Sequence, residues 1–222
     1  MPQVIVSYDG TRNDRDALLL GRVFAQAGGE ISLAYVRHAT EPDPQREAAA
    51  QREAEHLLST GAGLLEDTDV GQHVIVNSST AEGLAALAAE LGADVIAFGS
   101  SYRTPPGRVD LPQTAEQLLD RGIACSLALA PAGLRRESVE RSIGTVSVYD
   151  EDEDQAAQAT AKSLAHALGA VVTEHEADLL VITSRPEAHP GQLLLSASGR
   201  EQVERAPCPV LVLARGAALS FG

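Results

Sequence analysis

Lysine is almost missing from this chain. Lys162 is the single lysine among the 17 basic residues, and it lies in an alanine-rich helical stretch. A P-loop needs a lysine beside the β- and γ-phosphates, a protein kinase needs one on a strand, and pyridoxal phosphate needs one for its Schiff base. The position of Lys162 suits none of these roles, so the sequence excludes these three classes.

Cysteines and long apolar runs are also scarce. Cys125 and Cys208 are too few for a disulfide framework or a zinc site. No apolar run approaches the roughly 20 residues of a membrane span, and the first residues lack the charged-then-apolar pattern of a signal peptide. The sequence therefore predicts a cytoplasmic protein.

Basic residues are outnumbered by acidic ones. The 222 residues include 31 Asp and Glu against 17 Lys and Arg, which gives a formal net charge of −14. Because such a chain repels phosphate backbones and anionic lipid, we expect neither nucleic acid nor a membrane as its partner.

Short apolar segments alternate with helical patterns in the first 132 residues. Strands are predicted at 4–9, 31–36, 74–76, 93–101 and 125–131, with helices between them. Asp43 and Ser79 are predicted helix N-caps, and Ser79 with Glu82 has the spacing of a capping box. This alternation is typical of an α/β fold with a doubly wound, parallel, five-stranded sheet.

The second half of the chain partly repeats the first. Two segments recur at an offset of 141 residues and two at an offset of 84, namely Tyr8-Asp9 as Tyr149-Asp150, Gly28 as Gly169, Ala93-Asp94 as Ala177-Asp178, and Arg121 as Arg205. Two constant offsets describe a truncated repeat with one internal deletion. We expect a first domain at 1–132, a linker at 133–143, and a second domain at 144–222 that has lost about two strands and two helices.

Residues 150–154 read DEDED, a composition that suits either a metal site or a helix start. Adjacent carboxylates without the alternation and the glycine of an EF-hand are more typical of a solvated helix N-terminus, which the macrodipole favours. We therefore predict a helix start here and no metal.

Candidate site residues lie where predicted strands end. In open parallel sheets, ligands bind beyond the carboxyl ends of the strands. Asp9 follows the first strand, and Gly99 and Ser100 follow the fourth. A carboxylate can accept a hydrogen bond from a ribose hydroxyl, and small residues let backbone N–H groups approach phosphate. A helix that begins near Gln113 and Thr114 can direct its N-terminus at the same anion.

At these positions the chain resembles the universal stress protein family. The family pattern is a strand ending in Asp, a late strand ending in G-x-x-G and, nine residues on, a G-[S/T] that opens a helix. An APCPVLVV-like segment accompanies its last strand. Here residues 206–213 read APCPVLVL and residues 93–101 read ADVIAFGSS. The resemblance covers nearly all of 3–132 and the retained parts of 142–216, which implies two copies, the second abridged.

The resemblance implies ATP binding in one branch of the family. In that branch Asp9 would contact the ribose, the backbone of Val36 the adenine, and Gly99 with the start of the next helix the phosphates. Tyr102 stands at the second motif glycine, and Pro112, which has no N–H, stands at the third. We therefore expect a degenerate nucleotide pocket and no bound cofactor, with ATP as the alternative ligand.

The predicted function is a non-catalytic role in stress response or regulation, exercised by association. One alternative is an ATP-binding protein or weak nucleotide hydrolase that uses Asp9 and the Gly99 loop. Another is a scaffold whose pocket takes a different small ligand. An enzyme needs a positioned base beside an anion site, and no such pair is identifiable in the sequence.

The last strand of each copy, at 126–130 and 210–214, is predicted to lie at a sheet edge. An uncovered apolar edge is an aggregation hazard. The resemblance implies that family dimers cover this edge by antiparallel pairing across a two-fold axis. We expect the two strands to pair within one chain, as an intramolecular pseudo-dimer, with further oligomers compatible with the sequence.

Overall fold

Strands and helices alternate along the chain and build one sheet. The computed structural model describes residues 1–65, 70–137, 142–152, 154–175 and 177–222. The first copy contains β1 (Gln3–Ser7), α1 (Asp14–Gln26), β2 (Glu30–Arg37), α2 (Pro44–Leu64), β3 (Gly71–Val76), α3 (Thr80–Leu91), β4 (Val95–Gly99), α4 (Gln113–Arg121) and β5 (Ser126–Ala130). After α5 (Leu134–Glu137), the second copy contains β6 (Thr145–Tyr149), α6 (Gln155–Leu168), β7 (Val171–Thr173), β8 (Leu179–Thr183), α7 (Ala197–Arg205) and β9 (Val210–Leu213).

The described strands have the order β3-β2-β1-β4-β5-β9-β8-β6-β7. The first five are parallel to one another, which confirms the predicted doubly wound α/β fold. Val4, Ile5 and Val6 of β1 are all buried, Val4 and Val6 with Phe24 of α1 on one face and Ile5 with Leu84 of α3 on the other. Helices on both faces explain why the central strands are continuously apolar.

The predicted helix caps are found, with one difference. Asp43 accepts hydrogen bonds from Gln45 N and Arg46 N at the start of α2. Ser79 Oγ accepts from Glu82 N at 3.3 Å, but the Ser79 N–H donates to the side chain of Asn77. The Glu82 carboxylate instead pairs with Arg121 at 2.9 Å. Only half of the predicted capping box forms, because Glu82 joins α3 to α4.

The second copy has lost less than expected. Its parallel strands follow the order β7-β6-β8-β9, which matches β2-β1-β4-β5 in the first copy. The second copy therefore lacks counterparts of one strand and two helices, namely β3, α2 and α3. The prediction of two lost strands is wrong because β7 is three residues long, too short to show an alternating pattern.

The repeat extends to individual hydrogen bonds. Asp94 Oδ2 accepts from Gln3 N at 2.8 Å, and Asp178 Oδ2 accepts from Gly144 N at 3.0 Å. These residues are related by the same two offsets that the sequence shows. In each copy, an aspartate before the late strand thus holds the beginning of the first strand.

The junction between the copies is a strand pair. β5 pairs antiparallel with β9, with Leu127 opposite Val212, Ala128 opposite Leu211 and Leu129 opposite Val210. The two segments that we expected to be neighbours, 126–130 and 210–214, are thus hydrogen-bonded to each other. This pairing covers both edges and makes one sheet from the two copies.

The beginning of the predicted linker is docked on the first copy. Asp16 is fully buried in α1, and its carboxylate accepts from Gly133 N, Arg135 N and the Arg135 guanidinium, each at 2.8 Å. Residues 138–141 of the predicted linker lie outside the described residues.

Candidate functional site

A cleft of about 900 Å³ lies beyond the carboxyl ends of β1, β2 and β4. The structure brings all six residues of the predicted site to its lining, namely Asp9, Val36, Gly99, Ser100, Gln113 and Thr114. Their proximity follows from the strand order, since β1 lies between β2 and β4. Their roles toward a ligand stay predictions.

Asp9 does not stand alone in this cleft. Thr11 N lies 3.0 Å from Asp9 Oδ1 and 3.1 Å from Asp14 Oδ2, while Asp9 N donates to Asp14 Oδ2 at 2.7 Å. The turn after β1 therefore folds two carboxyl groups around one set of backbone donors. Asp14 was missing from the prediction because an aspartate in the first turn of a helix is also favoured by the macrodipole.

The two carboxyl groups have opposite pKa shifts. Burial, together with the neighbouring Asp9, raises the pKa of Asp14 to about 8. Burial also acts to raise the pKa of Asp9, but its hydrogen bonds with Asp14 and Thr11 hold that pKa below its ordinary value. Two adjacent carboxyl groups cannot both ionise easily. The pair therefore holds one proton at neutral pH, with Asp9 ionised and Asp14 neutral.

Gly99 is required by a close approach of backbone. A Cβ atom at this position would lie 2.1 Å from Asn13 O, just before α1. The side chain of Asn13 also donates to Ser100 O at 2.6 Å. Gly99 and Asn13 thus fix the end of β4 against the start of α1. This packing accounts for the glycine without any ligand.

Ser100 faces the protein rather than the cleft with its hydroxyl. Ser100 Oγ donates to Ala130 O at 2.7 Å and accepts from Asp110 N at 3.2 Å. The N–H of Ser100 donates to Ala130 O at 3.1 Å, and that of Ser101 to Asp110 O at 3.2 Å. The N–H groups that we expected to approach phosphate are therefore paired with carbonyl oxygens.

The second copy repeats this serine anchor. Ser184 corresponds to Ser100, and its hydroxyl accepts from Leu194 N at 2.7 Å. The Ser184 N–H donates to Leu213 O at 3.1 Å, and Arg185 N to Leu194 O at 2.8 Å. A buried serine after the late strand thus holds the following loop in both copies. The sequence contains this signal as two serines at an offset of 84.

The start of α4 supplies the groups that suit an anion. Pro112 is its N-cap and makes no side-chain cap, while Gln113 and Thr114 line the cleft. Uncapped N–H groups at a helix start attract negative charge. Tyr102 stands on the rim, 77% exposed, with the Arg103 guanidinium 5.1 Å from its ring centre.

The corresponding helix start in the second copy is occupied by the chain itself. Ser196 caps α7 by accepting from Gly199 N at 2.8 Å. The carboxylate of Glu151 accepts from Ser196 Oγ at 3.0 Å and also from Ser198 Oγ. In the first copy, Gly10 stands at the position of Glu151 and leaves this space open.

The remaining acids of the 150–154 run serve α6 and its surroundings. Asp154 caps α6 through Ala156 N at 2.8 Å, and Asp152 pairs with Arg215 at 2.5 Å. Burial raises the pKa of Asp150, which corresponds to Asp9. Glu153 lies outside the described residues. Among those described, no group of three or more metal-type side chains comes together.

Both cysteines are free and buried. Burial, together with the nearby Asp94, raises the pKa of Cys125 to about 12. Because the thiolate is the reactive form, Cys125 is an unreactive packing residue.

The fold and the cleft define the class of this protein: a tandem α/β protein whose ligand cleft lies at the carboxyl ends of its parallel strands. The chain belongs to the universal stress protein family, whose description matches residues 1–131 and 135–214. Comparison with curated proteins finds no match. Within the described residues, no helix is long and apolar enough to cross a membrane.

Solved structures show the same fold along the whole chain. A universal stress protein from Archaeoglobus fulgidus is 17% identical, with coverage of 96% of this chain and 98% of that one and a TM-score of 0.71. A Pseudomonas aeruginosa protein described as a putative universal stress protein is 13% identical, with coverage of 97% and 94% and a TM-score of 0.61. Likeness at this identity shows the fold, and the role of this chain has to be argued from its own residues.

Proposed function

We propose that this chain is a non-catalytic universal stress protein that acts by association, with its second copy serving as a built-in partner for the first. The observation that carries the proposal is the antiparallel pair β5–β9, which joins the two copies edge to edge. A separate single-copy chain would have to find a second molecule to cover this edge.

Contacts on either side of the strand pair support the partner role. Leu193 N donates to Ile123 O at 2.9 Å, so the loop before α7 rests on the end of α4. In the reverse direction, the Arg108 side chain donates to Arg205 O at 3.3 Å, at the end of α7. Each copy thus supports the loop of the other, as expected of a pseudo-two-fold arrangement.

The second cleft contributes little to ligand binding on this proposal. Glu151 occupies its helix start, and Asp152 is neutralised by Arg215. A phosphate at the same place would be repelled by both acids and would have to displace Glu151. Binding of a small ligand would therefore be confined to the first cleft.

A nucleoside triphosphate is disfavoured in the first cleft as well. The N–H groups of Ser100 and Ser101 are already paired with carbonyl oxygens, and Pro112 has none. We therefore expect no ATP binding tighter than about 1 mM, or about −4 kcal/mol. The uncapped start of α4 is the observation that favours the alternative, an ATP-binding protein or weak hydrolase that uses Asp9.

Calorimetry and phosphate release separate these two functions. Titration with Mg-ATP should give no heat of specific binding, and incubation should release no phosphate above the buffer blank. Micromolar binding that Asp9→Asn abolishes, in a variant with the circular dichroism of the wild type, would establish the alternative.

A designed disulfide tests the built-in partner. Cysteines at the opposed positions Ala128 and Leu211, in a chain with Cys125 and Cys208 replaced by serine, should oxidise to a cross-link within one molecule. The product should run as a compact monomer at every protein concentration, whereas a cross-link that joins two chains would contradict the proposal. The location in the cytoplasm stays a prediction.

A further inference from the structure

The feature that carries furthest is the pair of carboxyl groups at the base of the first cleft. One backbone donor, Thr11 N, lies within hydrogen-bond distance of both Asp9 Oδ1 and Asp14 Oδ2, and Asp9 N binds Asp14 Oδ2 as well. This geometry fixes the two carboxyl groups side by side. Both residues line the cleft of about 900 Å³.

The pair belongs to the first copy alone. The offset of 141 places Asp150 at the position of Asp9 but Gln155 at the position of Asp14. The repeated architecture of the strand ends therefore does not need two carboxyl groups. The second group is a property of the open cleft, absent from the one that Glu151 occupies.

A carboxyl pair with one proton offers a donor and an acceptor at the same place. A hydroxyl group can satisfy both, since it accepts the proton of one carboxyl group and donates its own to the other. An anion meets the remaining negative charge, and a cation gains only by displacing the proton. We propose that the first cleft binds an uncharged ligand through a sugar-type hydroxyl, received from Asp14 and given to Asp9, and that binding is lost when the shared proton leaves.

The surroundings of the pair are consistent with this assignment. Leu57 of α2 packs against Gly10 in the turn, so that side is apolar. The other ionisable groups around the pair lie on its own segment, after β2 and after β4, namely Tyr8, Arg12, Arg15, His38 and Tyr102. Burial beside Asp9 raises the pKa of Asp14 to about 8, so the proton leaves above neutral pH.

Adenosine is a suitable probe, because it is uncharged between about pH 6 and pH 9 and carries sugar hydroxyls. Calorimetry with the full chain should give a dissociation constant at least about tenfold lower at pH 6 than at pH 9. 2′,3′-Dideoxyadenosine should bind about tenfold more weakly than adenosine at pH 6. The variant Asp14→Asn keeps a donor and an acceptor without ionising, so its affinity should be the same at both pH values. His38→Asn is the matched control and should keep the wild-type pH dependence.

A measurement on the wild-type protein covers the case in which Asp14→Asn does not fold. The heat of adenosine binding in buffers of different ionisation enthalpy gives the number of protons taken up, which should be near one at pH 9 and near zero at pH 6. Equal affinity at both pH values, equal binding of the dideoxy compound, or no adenosine binding at millimolar concentration would each overturn the proposal. None of these outcomes touches the association role, which needs no ligand.

Discussion

Phe24 of the first copy and Phe221 of the second stack with ring centroids 5.8 Å apart and planes inclined by 19°. The segment around Phe221 lies between α1 and α6, where Gly222 N donates to Ala27 O and Phe221 N to Ser163 Oγ. It therefore joins the two copies on one face of the sheet, in addition to the strand pair β5–β9.

Truncation of Phe221 should destabilise both copies together. Phe221 is buried against a fully buried Phe24, and deletion of a core phenylalanine costs about 3 kcal/mol or more. We expect Phe221→Ala to lower Tm by several degrees in one cooperative transition, measured by calorimetry. Tyr102→Ala, at an exposed aromatic residue, is the control and should leave Tm nearly unchanged. Two separate transitions in Phe221→Ala would contradict a shared core.

The buried serine after each late strand should matter as a loop anchor. Ser184→Ala leaves Leu194 N without its acceptor, which costs about 1–3 kcal/mol. Ser100→Ala should cost a similar amount because Asp110 N loses its acceptor. Ser59→Ala, on the exposed side of α2, is the control. Urea unfolding measures all three, and a loss at one anchor only would show that the two loops are not equivalent.

Both anchors show where sequence reasoning succeeded and where it did not. Strand order and cleft position could be predicted, because continuous apolar strands between helices leave few topologies and place Asp9, Gly99 and Gln113 at one end of the sheet. The role of Ser100 could not, since a small residue after a strand suits either a phosphate or a packed loop. Only the repeated pattern at Ser184, where no phosphate motif survives, identifies the structural role.

The partner of Asp9 could not be predicted for a related reason. Helical position alone explains an aspartate in the first turn of α1, and the chain must fold before Thr11 N brings Asp14 to Asp9. β7 was missed because three residues contain too little pattern. Local signals identified the elements, whereas pairings that depend on a turn or a neighbouring strand needed the structure.

The raised pKa of Asp14 predicts a pH dependence of stability. The unfolded chain loses this proton at about pH 4 and the folded chain at about pH 8. The stability that the neutral carboxyl group contributes is therefore complete below about pH 4 and is lost as the pH rises through about 8. Asp14→Asn cannot ionise, so its Tm should gain several degrees relative to the wild type between about pH 5 and pH 8.

Thermal unfolding across this range measures the gain, and the lowered pKa of Asp9 does not interfere because its effect lies at more acidic pH. Asp43→Asn, at the N-cap of α2, should give a curve parallel to that of the wild type. Parallel curves for Asp14→Asn as well would show that the pair does not hold a proton at neutral pH.

The abridged copy should depend on the first for its stability. Residues 142–222 expressed alone would expose β9 where β5 now covers it, and Phe221 would lose Phe24. Four strands with two helices also bury a smaller share of their surface than the full sheet does. We expect this fragment to be unfolded or aggregated by circular dichroism and sedimentation. Co-expression with residues 1–132 should recover it as a one-to-one complex, because the antiparallel edge and the phenylalanine stack can then form between chains. A soluble 142–222 fragment that melts cooperatively on its own would contradict the built-in-partner role and leave the strand pair as a contact between two independent domains.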